Sequence, residues 1–125
     1  MQNTYNEIKD IIETTIGEQG KHYVAGKADG LGWLEINYKN TCFDGTIPMI
    51  SIKQREKAVH VYVMMWSGGK PITEDYIKVF GKSAVGVSCI RIRKLTEERK
   101  EALREIAQIA REHYDRTGTD ALYST

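Results

Sequence analysis

Cysteine is scarce in this chain, and so is any surplus of charge. The two cysteines, Cys42 and Cys89, stand far apart and form no C-x-x-C pair. A disulfide framework needs more cysteines at closer spacing, so both read as reduced thiols, with a single Cys42–Cys89 bridge left open. The formal net charge is +1, which supplies no global field to gather nucleic acid or anionic lipid. A local basic patch remains compatible with that total. No apolar run approaches the roughly 20 residues of a membrane span. The opening MQNTYNEIKD lacks the basic-then-apolar pattern of a secretory leader. The expected compartment is the cytoplasm. The chain has no internal repeats and no low-complexity segment.

Histidine is sparse too. His22, His60 and His113 show no His-x-His or His-x-x-x-His spacing, so no zinc signature exists. Gly81-Lys82-Ser83 matches the last three letters of a phosphate-binding loop, but Tyr76 stands where that loop needs its first glycine. The stretch before Gly81 reads as helix and the stretch after Lys82 heads into a strand. Gly81 is better explained as a helix stop.

What is present is an ordinary globular composition: 125 residues, 41% hydrophobic and 28% charged. This is the size of one domain, spanning 1–125, that buries roughly two-thirds of its unfolded surface. Thr4-Tyr5-Asn6-Glu7 fits a capping box and predicts a helix starting at Thr4. Tyr5, Ile8, Ile11, Ile12, Thr15 and Ile16 form its stripe, and Gly17 ends it. Residues 17–32 carry five glycines and read as a long loop. Strands are expected at 33–38, 46–53, 58–66 and 89–93, with a turn at 40–45 whose strongest signal is Asp44-Gly45. Pro48 suggests an edge position or a bulge. A short helix is expected at 73–80. Thr96 is a good N-cap for a last helix whose stripe is Leu103, Ile106, Ala107, Ala110 and Tyr114, ending before Gly118. The tail TDALYST either frays or docks. Hairpin-length links imply antiparallel pairing, and two amphipathic helices need one apolar sheet face. The expected fold is a two-layer α+β sandwich: a four-stranded, mainly antiparallel sheet with the amino- and carboxy-terminal helices on one face.

Pleating then divides the strands. Val59, Val61, Val63 and Met65, with Ile90 and Ile92, belong under the helices. The opposite row carries His60, Tyr62, Met64 and Trp66, with Arg91 and Arg93 on the last strand and Trp33, Glu35 and Asn37 on the first. Rings, an imidazole and two guanidiniums on one face mark either a ligand surface or a second small core covered by the tail or the glycine-rich segment. Arg91 and Arg93 would hold an anion there. Glu7, Asp10 and Glu13 recur along the first helix and form an acidic ridge. Oxygen donors of that kind suit iron, although an ordinary solvated face is the favoured alternative. Cys89 reads as a small core residue, and no base stands near Cys42.

The stretch FDGTIPMISIKQREKAVHVYVMMW, then a helical segment, then FGKSAVGVSCIRIRKL before the last helix, resembles the YdhG-like family of small domains of unknown function. The residues that carry the likeness are Pro48, Tyr62, Gly81-Lys82, Gly86-Val87-Ser88-Cys89 and Leu95, within about residues 33–110. The resemblance implies a frataxin-like α+β fold, in which some relatives are iron chaperones that use acidic side chains. The modest acidic density here departs from that pattern. The first expectation is therefore a non-enzymatic binding module for an unidentified small molecule or protein partner. Its site is His60, Tyr62, Trp66, Lys82, Arg91 and Arg93, with iron at Glu7, Asp10 and Glu13 as a subclass. The alternative is an enzyme or binder acting on a small anionic ligand at the same face. No nucleophile–base pair is visible, which ranks catalysis lower. Near-neutral charge argues against a nucleic-acid partner through Lys78, Lys82, Arg91, Arg93 and Lys94.

Overall fold

A computed structural model of the chain describes residues 2–39, 41 and 43–123. Helix α1 spans Gln2–Ile16. It begins before Thr4, so the expected capping box lies inside the first turn rather than at its start. The stripe is as expected: Ile8, Ile12 and Ile16 are buried, with Tyr5 and Ile11 packed at the margin. Gly17 closes the helix at φ 82, and its N–H donates to the Glu13 carbonyl at 2.8 Å.

The glycine-rich segment is a loop only over residues 17–20. It holds strand β1 (Lys21–Ala25) and the start of β2 (Ala28–Lys39). Ala25 pairs with Ala28 across a two-residue turn in which Gly26 takes φ 63. Strand β3 (Asp44–Gln54) and β4 (Val59–Val63) follow. Asp44 and Gly45, expected in a turn, are the first residues of β3 and pair with Lys39 and Tyr38. Asn40 and Cys42, also placed in that turn, lie outside the described residues. Short strands β5 (Trp66–Ser67) and β6 (Lys70–Pro71) make a separate hairpin. A 3-10 turn (Ile72–Tyr76) and helix α2 (Ile77–Phe80) lead to Gly81 at φ 95, the expected helix stop. After a 3-10 turn at Lys82–Ala84 comes β7 (Cys89–Ile92), then α3 (Glu97–Thr117).

The main sheet has five strands, one more than expected, in the order β1-β2-β3-β4-β7, with every neighbouring pair antiparallel. The fold is α+β. Val59, Val61, Val63, Ile90 and Ile92 are at most 1% exposed and share one core with Ile8 and Ile12 of α1 and Leu103 and Ile106 of α3. Along β4 they alternate with the half-buried His60 and Tyr62, as the pleat requires. Strand β4 pairs with β3 only between Ile50 and Gln54. Pro48 lies beyond that stretch, paired with Glu35 of β2, where β3 is an edge.

Three local devices fix the ends. Thr96 caps α3 by accepting the Arg99 N–H at 3.2 Å, and Gly118 ends it at φ 62. Residues Gly118–Tyr123 form a 3-10 turn that docks beside β2, where Asn37 Nδ2 donates to Asp120 Oδ1 at 3.1 Å. The tail therefore docks at Asn37. Thr73 is fully buried, and its hydroxyl shares one hydrogen between the carbonyls of Gly86 and Val87, at 2.8 and 3.0 Å. That pins the connection into β7. Among the described residues, no helix is long and apolar enough to cross a membrane.

Candidate functional site

The outward row of the sheet can be read straight from the pairing. Gly30 of β2 lies opposite Tyr23 of β1; Lys53 of β3 lies opposite His60 of β4, which faces Arg91 of β7. One step along, Gly32 faces Ser51, Ser51 faces Tyr62, and Tyr62 faces Cys89. Directly paired residues share a face. At these two steps β2 contributes glycines rather than the Trp33 expected, and Ala28, Asp29 and Tyr38 of the same strand line the cleft described next. Trp33 pairs with Ile50, is 3% exposed, and donates from Nε1 to the Glu18 carbonyl at 3.2 Å. It belongs to the core. Leu34, at φ 64, interrupts the alternation, so Trp33, Leu34 and Ile36 are all buried.

The glycines leave room that other side chains use. A Cβ on Gly30 would stand 3.4 Å from the Tyr23 ring, and one on Gly32 would stand 3.3 Å from it. Tyr23 lies across both and brings its hydroxyl to 3.0 Å from Ser51 Oγ. The result is an aromatic cleft of about 520 Å³, walled by Tyr23, Phe43, Pro48, Tyr62 and Met64, with Arg55 at its border. That volume is ordinary for a small-molecule pocket. The one carboxylate on its wall, Asp29, is ion-paired with Lys53, which holds its carboxyl below the usual range.

A second cleft of about 630 Å³ adjoins the first. It is lined by Arg55, Lys57, His60, Arg91, Arg93 and Arg99, against one carboxylate, Glu56. Among the described residues none of these four arginines, nor Lys57, enters an ion pair. Backbone carbonyls aim two of them: Arg91 donates to Ser83, and Arg99 donates from Nε to Val79 at 3.2 Å and from Nη1 to Lys94 at 2.8 Å. Arg55 lies beside the Tyr62 hydroxyl, an interaction that favours the charged guanidinium.

His60 and Tyr62 form the seam between the clefts. His60 Nδ1 is 3.4 Å from the Tyr62 hydroxyl and 3.8 Å from Cys89 Sγ. Burial, then the Arg55 and Arg91 charges, push the imidazole below its ordinary value and so favour its neutral form. Burial pushes the Cys89 thiol up, although both arginines oppose this. A neutral imidazole beside a protonated thiol is not an activated nucleophile. The groups facing His60 are the cations Arg55, Arg91 and Lys53 and the hydroxyl and thiol of Tyr62 and Cys89. An anion placed here offsets the two arginines and raises the imidazole. Sulfate, whose charge is constant across this range, is therefore expected to bind with proton uptake. Its affinity should rise as pH falls from 7.5 to 6, by less than about tenfold per pH unit, and the His60 ring signals in an NMR titration should move to a higher midpoint. A midpoint indifferent to sulfate would sink this coupling. Without the anion the sign is simple: a lowered histidine contributes stability above its unfolded value of about 6.5 that is lost as pH falls through the folded value.

Of the side chains named from sequence, His60, Arg91 and Arg93 line the basic cleft and Tyr62 the aromatic one. Two fall outside. Trp66 pairs with Pro71 in the small β5–β6 hairpin, and Lys82 is exposed on the 3-10 turn, with only its neighbours Ser83 and Ala84 on the wall. Helix α2 precedes Gly81 and no helix opens after Lys82, which removes the phosphate-loop reading. The acidic ridge is not assembled as a ligand set. Glu7 is paired with Lys100 at 3.2 Å, and Glu13 with Lys9 at 3.4 Å while also accepting the Gly20 N–H at 2.7 Å. Asp10 is exposed on the same helix. Among the described residues, no three His, Cys, Asp or Glu side chains are grouped to hold a metal ion. Sequence reasoning missed Arg55, Arg99 and Tyr23. Arg55 sits in a polar hairpin link and Arg99 in the first turn of a charged helix, where cations are unremarked. Tyr23 was hidden by its surrounding glycines.

No protein-family model, no curated protein and no solved structure matches this chain.

Proposed function

We propose that the chain is a non-enzymatic binding module for small anions, using the basic cleft on the open sheet face of a two-layer, frataxin-like domain of the YdhG-like kind. The observation that carries this reading is the grouping of Arg55, Lys57, Arg91, Arg93 and Arg99 around His60 with no ion-pair partner among the described residues. Unpaired guanidiniums repel one another, and an oxyanion relieves that repulsion while accepting their N–H groups in a planar fork. The kinship rests on the sequence likeness at Pro48, Tyr62, Gly81-Lys82, Gly86-Val87-Ser88-Cys89 and Leu95. Delivery of iron has less support, since Glu7 and Glu13 already have partners.

Inorganic phosphate is the probe. Its titration into isotopically labelled protein is expected to move the signals of His60, Arg91 and Arg93. The double change Arg91→Ala, Arg93→Ala should weaken binding by at least about tenfold, since each charge-assisted hydrogen bond contributes roughly 1.5–3 kcal/mol. Equal affinity in the double variant, or no perturbation at these residues, would remove the reading.

A further inference from the structure

The basic cleft does not stand alone. Arg55 lines both concavities, and His60 and Tyr62, in contact at 3.4 Å, separate them. One wall is rings and a thioether; the other is guanidiniums. A small inorganic anion would occupy only the second and leave the first wet. Resting on the anion-binding reading above, we propose that both clefts take a single molecule, a planar aromatic system bearing a phosphate, sulfonate or carboxylate group. Its ring lies among Tyr23, Phe43, Tyr62 and Met64, and its anionic group meets Arg55 and Arg91.

Three features favour an aromatic body over an aliphatic chain. The wall is aromatic on several sides, and rings stack or meet edge to face on such surfaces. Met64 adds a polarizable sulfur that suits a ring edge. The Tyr23 hydroxyl is already engaged with Ser51 Oγ, which fixes that ring as a rigid wall rather than a movable gate. Arg55 is the hinge of the recognition: among the described residues it is the one cation that lines both clefts, so it reads the distance between ring and anion. Asp29, neutralised by Lys53, places no free negative charge against the incoming group.

The test compares three probes on the full chain: 2-naphthyl phosphate, inorganic phosphate and 2-naphthol, each by calorimetry and by NMR. The expected result is that 2-naphthyl phosphate binds at least about tenfold tighter than phosphate and tighter than 2-naphthol, because apolar burial adds to the charge contacts. Phe43→Ser and Met64→Ser are each expected to reduce that excess, and the use of two separate wall residues guards against one variant failing to fold. If 2-naphthyl phosphate and phosphate bind equally, the shared site is overturned while the anion-binding function stands. If both serine variants keep the full excess, the ring lies elsewhere and the proposal falls. If 2-naphthol binds as well as its phosphate ester and phosphate does not bind, the anion-binding function falls with it. If none of the three binds, both readings are lost.

Discussion

Replacing Ile52 by alanine is expected to lower the unfolding free energy by about 2–5 kcal/mol, from a total of roughly 5–15 kcal/mol for a domain of this size. Ile52 is fully buried in β3, the central strand of the five, where it pairs with Leu31 on one side and Val61 on the other. It lies in the same core as Ile8 of α1 and Leu103 of α3. Its loss removes apolar contact on both layers, and a paired strand cannot slide inward to fill the void without breaking its ladder. Val24→Ala is the comparison. Val24 is 69% exposed on β1, so its change should stay within about 0.5 kcal/mol. Urea unfolding with an unchanged slope separates the two. An Ile52→Ala protein as stable as Val24→Ala would mean that the helices do not pack against this strand.

The parts of the fold that could be read in advance are those in which one period dominates. Val59, Val61 and Val63 alternate with His60 and Tyr62, and a slip of one residue would bury the imidazole and expose three valines. The cost of that slip sets the register, and the alternation states it plainly. The two long helices show the same economy: Ile8, Ile12 and Ile16, then Leu103, Ile106 and Ala110, recur at helical spacing and are all buried. Thr96 and Gly118 punctuate the last helix as its chemistry requires.

Where two physical effects compete, the pattern gave the wrong element. Glycine lowers strand propensity through its backbone entropy, so five glycines in 17–32 point to a loop. The same residue is demanded wherever another chain segment approaches closely, and that need prevailed at Gly30 and Gly32 of β2. Trp33 was misplaced because strict alternation assumes extended backbone at every residue, and Leu34 at φ 64 breaks it. The site suffered the same way. His60, Tyr62 and Arg91 lie on strands, Arg93 directly follows β7, and all four were legible; Arg55 and Arg99 reach the cleft from a turn and a helix start, and only three-dimensional folding brings them there.

Gly32 offers the sharpest check on that account. It is buried in β2, between Lys21 of β1 and Ser51 of β3 in the ladder. A Cβ added there would lie 2.5 Å from both Cβ and Cγ of Pro48, well inside contact distance. Pro48 cannot swing aside, because its ring is fused to the backbone of a paired strand. Gly32→Ala must therefore push β2 and β3 apart, and the expected loss is about 1–3 kcal/mol. Gly86 supplies the opposite case. It has no positive φ, and its added Cβ meets only the Cys89 carbonyl at 3.7 Å, an ordinary contact. Gly86→Ala should be neutral or stabilising by up to about 1 kcal/mol, because alanine restricts the unfolded chain. The two substitutions are chemically identical, so a difference in sign isolates the packing against Pro48. Because Tyr23 also lies over Gly32, the damaged protein should lose affinity for 2-naphthyl phosphate as the aromatic wall shifts. If Gly32→Ala unfolds at the same denaturant concentration as Gly86→Ala, the segment 17–32 does not fold back on the sheet as a paired hairpin, and the wall it contributes to the cleft is not there.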